Sequence, residues 1–328
     1  MKAVLLKAFG DANQLYLGDA PTPTIQSDEV LVRVKATALN RADTLQRKGS
    51  YPPPPGASEI LGLEMAGVVE QVGDNVTRWK SGDKVFGLLA GGGYAEYVAT
   101  HKKMLMPIPE DWNFHQAAAI AEVYLTAFQA LYYLSNLQKG ATVLIHAGAS
   151  GVGTAAIQLA KSMGAARILV TASAGKHEIC KNLGADITID YRTQNFEEVI
   201  KEVTQEIGVD IIVDFLGASY FQKNINSLAM DGRMVLLAFM GGIKIEELNI
   251  VNFLRKRIKV MGSTLRARSL DYKIQLTQDF SNYAMSKFLT KELQPVIDSV
   301  FDWNDVADAH RYMEANKNKG KIILEVGS

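Results

Sequence analysis

Residues 142–161 constrain this chain more than any other stretch. Thr142-Val143-Leu144-Ile145 is a short apolar run that leads straight into His146-Ala147-Gly148-Ala149-Ser150-Gly151-Val152-Gly153. Thr154-Ala155-Ala156-Ile157-Gln158-Leu159-Ala160-Lys161 then carries a helical pattern. Strand, glycine turn and helix in that order open a βαβ unit of the kind that binds dinucleotides. On this reading Gly148 permits the tight turn. Gly151 and Gly153 allow a backbone to approach a pyrophosphate and the helix to pack on the strand. The N–H groups at the helix start, around Val152, face the phosphates. Ser150 stands where the usual G-x-G-x-x-G pattern has its second glycine, so the turn is a variant. The same run also suits a strand–helix turn that holds no ligand, and the residues that follow bear on the choice.

A second apolar strand, Arg167-Ile168-Leu169-Val170-Thr171, ends about twenty residues past the glycines, where NAD-binding enzymes place an acid for the ribose 2′-hydroxyl. Here the sequence is Thr171-Ala172-Ser173-Ala174-Gly175-Lys176. A carboxylate would repel a 2′-phosphate, whereas Ser173 and Lys176 can hold one. The cofactor expected is therefore NADPH. The alternative for Lys176 is a solvated residue in the first turn of a helix.

Further strands at 187–189, 209–213, 233–237 and 258–261 alternate with helical segments. Six strands with helical crossovers predict an α/β domain with a doubly wound parallel sheet. The first third differs. Residues 30–36, 67–73, 83–87 and 94–98 read as short strands between Gly, Asp and Pro turns, which suggests a compact, partly barrel-like β domain. The prolines at 52–55 should form a stiff loop. After residue 264 the pattern is mixed, with a helix over 303–313 and a last strand over 321–326 expected to return to the first domain. Asp214, before Gly217, reads as a crevice residue or a helix cap.

Composition excludes several classes. Lys plus Arg and Asp plus Glu balance at 35 each in 328 residues, which argues against a basic face for nucleic acid. The single cysteine, Cys180, is predicted on a helix surface, and one cysteine builds neither a disulfide scaffold nor a cysteine-rich zinc site. Met1–Leu6 reads as a strand and not a signal. No stretch is expected to reach the apolar length that spans a bilayer, so the expected compartment is the cytoplasm. The histidines at 101, 115, 146, 177 and 310 show no ligand spacing. His146, Met104 and Met106 read as packing residues.

Several segments together resemble one family: Ala38-Leu39-Asn40-Arg41-Ala42-Asp43, Gly49-Ser50-Tyr51-Pro52-Pro53-Pro54, Leu61-Gly62-Leu63-Glu64-Met65-Ala66-Gly67 and Leu125-Thr126-Ala127-Phe128. With them go the glycine turn, Gly262-Ser263-Thr264-Leu265-Arg266 and Met313-Glu314-Ala315-Asn316-Lys317. In order and spacing the chain is similar to the zinc-free quinone oxidoreductase branch of the medium-chain dehydrogenase/reductases, and within it to the stress-inducible NADPH quinone oxidoreductase-like proteins. The resemblance implies a GroES-like catalytic domain over 1–122, a Rossmann NADP-binding domain over 123–264 and a C-terminal return over 265–328, with NADPH in the cleft between domains. Where zinc relatives carry ligands, this chain reads Leu39-Asn40-Arg41 and Gly62-Leu63-Glu64. Glu64 alone cannot hold catalytic zinc, which takes three protein ligands. It reads better as a buried acid paired within the fold.

The resemblance also assigns a pocket. Asn40 would donate to a substrate carbonyl or to the nicotinamide ribose, and the Tyr51 hydroxyl would face the carbonyl oxygen as a donor. From the residues alone, Asn40 reads as a turn residue and Tyr51 as a loop-packing aromatic, and Asp43 has no role beyond a possible cap. Thr126 matches a position near the nicotinamide, and Tyr191 one near the adenosine. Backbone groups after the fifth and sixth strands, at Phe239, Gly241 and Leu265, would fix the carboxamide. Arg266 and Arg268 would serve the substrate mouth or only the surface. Without zinc the acceptor must be electron-poor, so the expected activity is reduction of small quinones by hydride or single-electron transfer. The alternatives are reduction of an enone or enoyl double bond, and a non-enzymatic NADPH-binding role as a crystallin or RNA-binding protein. Relatives pair the edge strands of two Rossmann sheets, so a homodimer is expected through 233–240 or 258–261.

Overall fold

The computed structural model describes residues 1–327. The chain divides into two compact units, one of Met1–Leu125 with the chain from Leu265 onward, the other of Thr126–Thr264.

The second unit is built on a six-stranded sheet in which every pairing is parallel. Across the sheet the strands run Ile187–Asp190, Arg167–Ala172, Thr142–Ile145, Val209–Asp214, Leu228–Leu236 and Lys259–Gly262. In chain order this is third, second, first, fourth, fifth, sixth, the doubly wound order, and the chain reverses between Thr142–Ile145 and Val209–Asp214. Strands covered by helices on both faces must be apolar throughout, and Val143, Leu144, Ile145, Leu169, Val170, Ile212 and Val213 are all fully buried. The fifth strand starts earlier than its apolar core suggests, at Leu228, because Asp231, with φ at 59°, turns the chain within it. It is paired on both sides, so of the two segments expected to form an open edge only Lys259–Gly262 does so.

The first unit holds a seven-stranded sheet centred on Glu29–Ala38, whose ten residues pair with Glu64–Val72, Tyr97–His101 and Lys321–Glu325. Lys84–Leu88 and Leu105–Pro107 extend one side, and Ile297–Asp302 the other. Its core gathers Val30, Val32, Val34, Met65, Trp79, Val85, Trp303, Ile322 and Leu324. The strand expected from Tyr94 begins at Tyr97; Tyr94 itself is fully buried in the preceding turn, where its N–H donates to Leu61. Met104 and Met106 are core residues. The 20-residue helix Leu270–Leu289 has no counterpart among the sequence expectations. It buries Leu276, Thr277, Phe280, Ala284 and Phe288 along one stripe, and its other positions mix polar residues with exposed Leu270 and Leu289.

Two expectations are corrected here. Phe114–Leu134 is long and apolar enough to cross a membrane, with an 18-residue window of mean hydropathy 1.2, but 72% of that window is buried inside the protein. The segment is a core element broken at Ala119–Ile120, and its apolarity serves packing. Cys180 is fully buried, not on a helix surface. The short helix His177–Leu183 turns that one position inward while Lys181 and Asn182 stay outside, and burial pushes the thiol up to about 11.

Candidate functional site

In the second unit the glycine turn follows the first strand at the switch point. Ala147, not a glycine, takes the left-handed conformation, with φ at 49°. Gly148 is required for a different reason than the turn: a Cβ there would sit 2.7 Å from Cβ of Val170 on the neighbouring strand. A Cβ on Gly153 would strike the Ala147 carbonyl oxygen, so the helix Gly151–Ser162 can start directly against the turn only with glycine there. Ser150 is the N-cap, its Oγ accepting from the N–H of Gly153 at 3.1 Å. Thr154 N–H bonds the Ser150 carbonyl, and among the described residues no acceptor meets the N–H of Gly151 or Val152. Two open donors and the positive end of a 12-residue helix fit a phosphate.

Most of the other residues expected to contact the cofactor follow strands of the same sheet. Ser173 and Lys176 follow the second strand as part of a single 3₁₀ turn, both partly buried. Tyr191 follows the third strand and is about half exposed, as is Phe239 after the fifth. Gly241 leaves no space for a side chain beside Ser219, and its N–H donates to Leu216 at 2.7 Å. Asp214 closes the turn after the fourth strand and does not cap the next helix, Ala218–Ser227, whose N-cap is Gly217: its carboxylate accepts from the N–H of Leu216 at 2.8 Å and of Gly217 at 3.0 Å. His146 packs. It is fully buried between the rings of Phe196 and Tyr220, with Nδ1 3.0 Å from Thr171 Oγ1 and Nε2 2.8 Å from Asn224 Oδ1. These groups gather at the carboxyl ends of parallel strands, where doubly wound sheets bind ligands. Thr126 lies partly buried in the helix Ala121–Phe128.

Asn40, Tyr51 and Leu265 belong to the first unit. There Lys321, absent from the sequence expectations, organises a buried cluster. Its Nζ lies 2.7 Å from Glu64 Oε1 and donates to Asn40 Oδ1 at 2.8 Å and to the Leu39 carbonyl at 2.9 Å. Asn40 Nδ2 donates to Glu64 Oε1 at 2.9 Å and to the Ala38 carbonyl at 3.3 Å. Both ends of the Asn40 amide are thus engaged inside the protein, and Asn40 positions Lys321 and Glu64. The second carboxylate oxygen of Glu64 accepts from the N–H of Glu122 at 2.8 Å. Glu64 is therefore the paired buried acid that its setting suggests.

Asp43 is more than a cap. It accepts from the N–H of Asn40 at 2.7 Å, the N–H of Gly62 at 3.2 Å and the hydroxyl of Tyr94 at 3.2 Å. Tyr94 Oη is also 3.3 Å from His310 Nε2, and Arg47 Nη1 donates to His310 Nδ1 at 3.1 Å. With Nδ1 accepting from a guanidinium, His310 is neutral and carries its proton on Nε2. Burial and Arg47 push it down to about 3. Burial pushes Asp43 up to about 6 against these bonds, and burial with the nearby Glu64 pushes Glu122 up to about 8. Tyr51 is partly buried, and its hydroxyl is raised first by burial and then by Glu122, with Arg266 opposing. It is therefore a protonated donor near neutral pH. Arg266 is buried and Leu265 beside it likewise, whereas Arg268 lies over the ring of Tyr272 at 4.7 Å.

Among the described residues no three His, Cys, Asp or Glu side chains group as metal ligands, and an ammonium occupies Glu64. The residues do not fit a catalytic zinc.

Comparison with known proteins gives a consistent result. A family model described as "Alcohol dehydrogenase GroES-like domain" matches residues 26–110, and one described as "Zinc-binding dehydrogenase" matches 151–282. The chain is 33% identical over 332 residues to "Quinone oxidoreductase" of Homo sapiens, covering 99% of this chain and 97% of that protein. It is 32% identical over 342 residues to "Synaptic vesicle membrane protein VAT-1 homolog" of Rattus norvegicus, covering 100% of this chain and 84% of that protein. Among solved structures it is similar to a quinone oxidoreductase of Pseudomonas syringae, with TM-score 0.86, 30% identity and 99% of each chain covered. It is also similar to the CurK enoyl reductase, with TM-score 0.87, 28% identity and 99% and 98% of the chains covered. With a doubly wound sheet that binds a nicotinamide cofactor and a GroES-like domain in which lysine, not metal, holds the acid, the chain belongs to the zinc-free quinone oxidoreductase branch of the medium-chain dehydrogenase/reductases.

Proposed function

We propose that the protein is an NADPH-dependent reductase of small quinones. The observation that carries this reading is the Lys321–Glu64 ion pair at 2.7 Å. A site whose one candidate metal ligand is neutralised by an ammonium offers no Lewis acid from its own donor set, so it suits acceptors that are electron-poor before they bind. When bound, the nicotinamide supplies the hydride. The chain's own residues do the rest. Gly151 and Val152 N–H groups hold phosphate, Ser173 and Lys176 favour a 2′-phosphate over a bare hydroxyl, and the protonated Tyr51 hydroxyl donates to the acceptor oxygen.

The likeness to an enoyl reductase supports a second reading, reduction of a conjugated double bond, with the same donor on the carbonyl oxygen. The deciding experiment is NADPH oxidation by the purified protein against 1,4-benzoquinone, 1,2-naphthoquinone and a panel of enones. The quinone reading expects turnover of quinones that survives exhaustive chelation. Turnover of enones alone, with deuterium from labelled NADPH found on the β-carbon, would overturn it. For the cofactor, Lys176→Ala should weaken NADPH binding by roughly tenfold or more, the scale of one charge-assisted hydrogen bond, and leave NADH nearly unchanged. Equal loss for both cofactors would remove Lys176 from the 2′-phosphate.

A further inference from the structure

Arg266 is 5% exposed. Its Nε donates to the Ala90 carbonyl at 2.8 Å, and its Cζ lies 5.5 Å from the centre of the Tyr51 ring. These two contacts fix the plane of the guanidinium but use only one of its five N–H bonds. Nη1 and Nη2 are both buried, and neither has a hydrogen-bond partner. Buried donors are nearly always paired, and an unpaired charged fork is costly enough to call for a reason.

The acids nearby do not supply the missing partner. Asp43 and Glu122 act on Arg266 only through space. Asp43 is engaged with Asn40, Gly62 and Tyr94, and Glu64 with Lys321, Asn40 and the N–H of Glu122. Glu122 is pushed up to about 8 and so is largely uncharged near pH 7. Lys273, whose Nζ donates to the Arg266 carbonyl at 3.4 Å, adds a second cationic group beside the first. The fork is thus held in place, desolvated, poorly neutralised and beside the ring of Tyr51, whose hydroxyl the proposed reaction uses.

We propose that the Nη edge of Arg266, beside Tyr51, is an oxyanion subsite that takes a planar compound bearing anionic oxygen, as a carboxylate or a phenolate does. A guanidinium fork recognises paired oxygens through two parallel N–H bonds, which a lysine cannot reproduce. The inference rests on the proposed reductase reading for one thing only, that this oxygen belongs to the acceptor. In the reaction the subsite would bind the oxygen on which charge collects as the acceptor is reduced, the place a metal serves in zinc relatives.

The test is a binding measurement that needs no turnover. Benzoate and its neutral isostere benzamide are titrated calorimetrically into the full chain at pH 7. Benzoate is expected to bind roughly ten- to hundredfold tighter, the span of one or two charge-assisted hydrogen bonds. The ratio should fall close to one in Arg266→Met and take an intermediate value in Arg266→Lys, while Lys176→Ala leaves it unchanged. Equal affinities in the unaltered protein, or no binding of either compound, overturn the proposal without any variant. So does a benzoate preference that persists in folded Arg266→Met or is undiminished in folded Arg266→Lys, or one that disappears in Lys176→Ala and so belongs to the phosphate site. If quinones fail as substrates but the Arg266-dependent ratio stands, the reductase reading falls and the subsite remains.

Discussion

Lys321 and Asn40 are 281 residues apart in the chain, yet their side chains meet at 2.8 Å. No local pattern announces such a pair. Lys321 opens the last strand, and its neighbours Ile322 to Leu324 identify only the strand. The fold makes it the counter-ion of Glu64, with the two side chains 4% and 0% exposed. Lys321→Met should therefore destabilise the protein by about 3–5 kcal/mol, because it leaves a buried carboxylate unpaired. Adding Glu64→Gln should recover most of that loss, as read from urea midpoints. A second prediction concerns Glu122. Its folded pKa of about 8 lies above the ordinary 4.5, so between those values the folded state keeps a proton that the unfolded chain has lost. Stability from this group falls as pH rises from about 4.5 to 8. The groups acting on it are Glu64, Lys321, Asp43 and Arg266. Glu122→Gln stays neutral throughout, so its stability relative to the unaltered protein should rise with pH across that window. A difference independent of pH would show that Glu122 is ionised in the fold.

At the scale of elements, the parallel strands were readable because each is an apolar run bounded by turn residues and buried on both faces. The helix Leu270–Leu289 was not, since its stripe is interrupted by Thr277 and carries polar residues on the remaining faces. The glycine turn was recognised from its spacing, but spacing could not separate the duties of its residues. The structure gives the strained backbone to Ala147 and the tight packing to Gly148. Gly148→Ala should cost about 1–3 kcal/mol, because its Cβ would meet Cβ of Val170 at 2.7 Å and neither atom can rotate away. The added methyl should also weaken NADPH binding by displacing the turn. Gly175→Ala is the control for stability, since nothing lies within 4 Å of its added Cβ, and its unfolding free energy should stay within about 0.5 kcal/mol of the parent. Equal effects of the two changes would contradict the packing argument.

At the scale of the whole molecule, the sheet of the second unit ends on the short strand Lys259–Gly262, whose outer edge is open. Beside it in sequence, Ile243, Ile250 and Leu254 are 77%, 66% and 85% exposed. We propose that a second copy covers this edge, each chain presenting the same strand to the other. Sedimentation equilibrium at micromolar protein should give twice the 35.9 kDa chain mass. Asp or Lys at both Ile250 and Leu254 should shift the equilibrium toward the single chain. A monomer at all concentrations would discard the dimer.

The sequence by itself determined the doubly wound sheet, the position of the glycine turn, the absence of an acid after the second strand and the unsuitability of Glu64 as a lone zinc ligand. Those features are local: they depend on periodicity, turn chemistry and residue type within a few tens of positions. Only the tertiary structure decided that Asn40 is held by Lys321 and Glu64, that Asp43 anchors Tyr94 and His310, that Cys180 faces inward and that Arg266 is buried with an unpaired fork. The reason is physical. A side chain's partners, its burial and hence its charge state are set by residues that the chain brings together from far apart, and no stretch of sequence carries that juxtaposition.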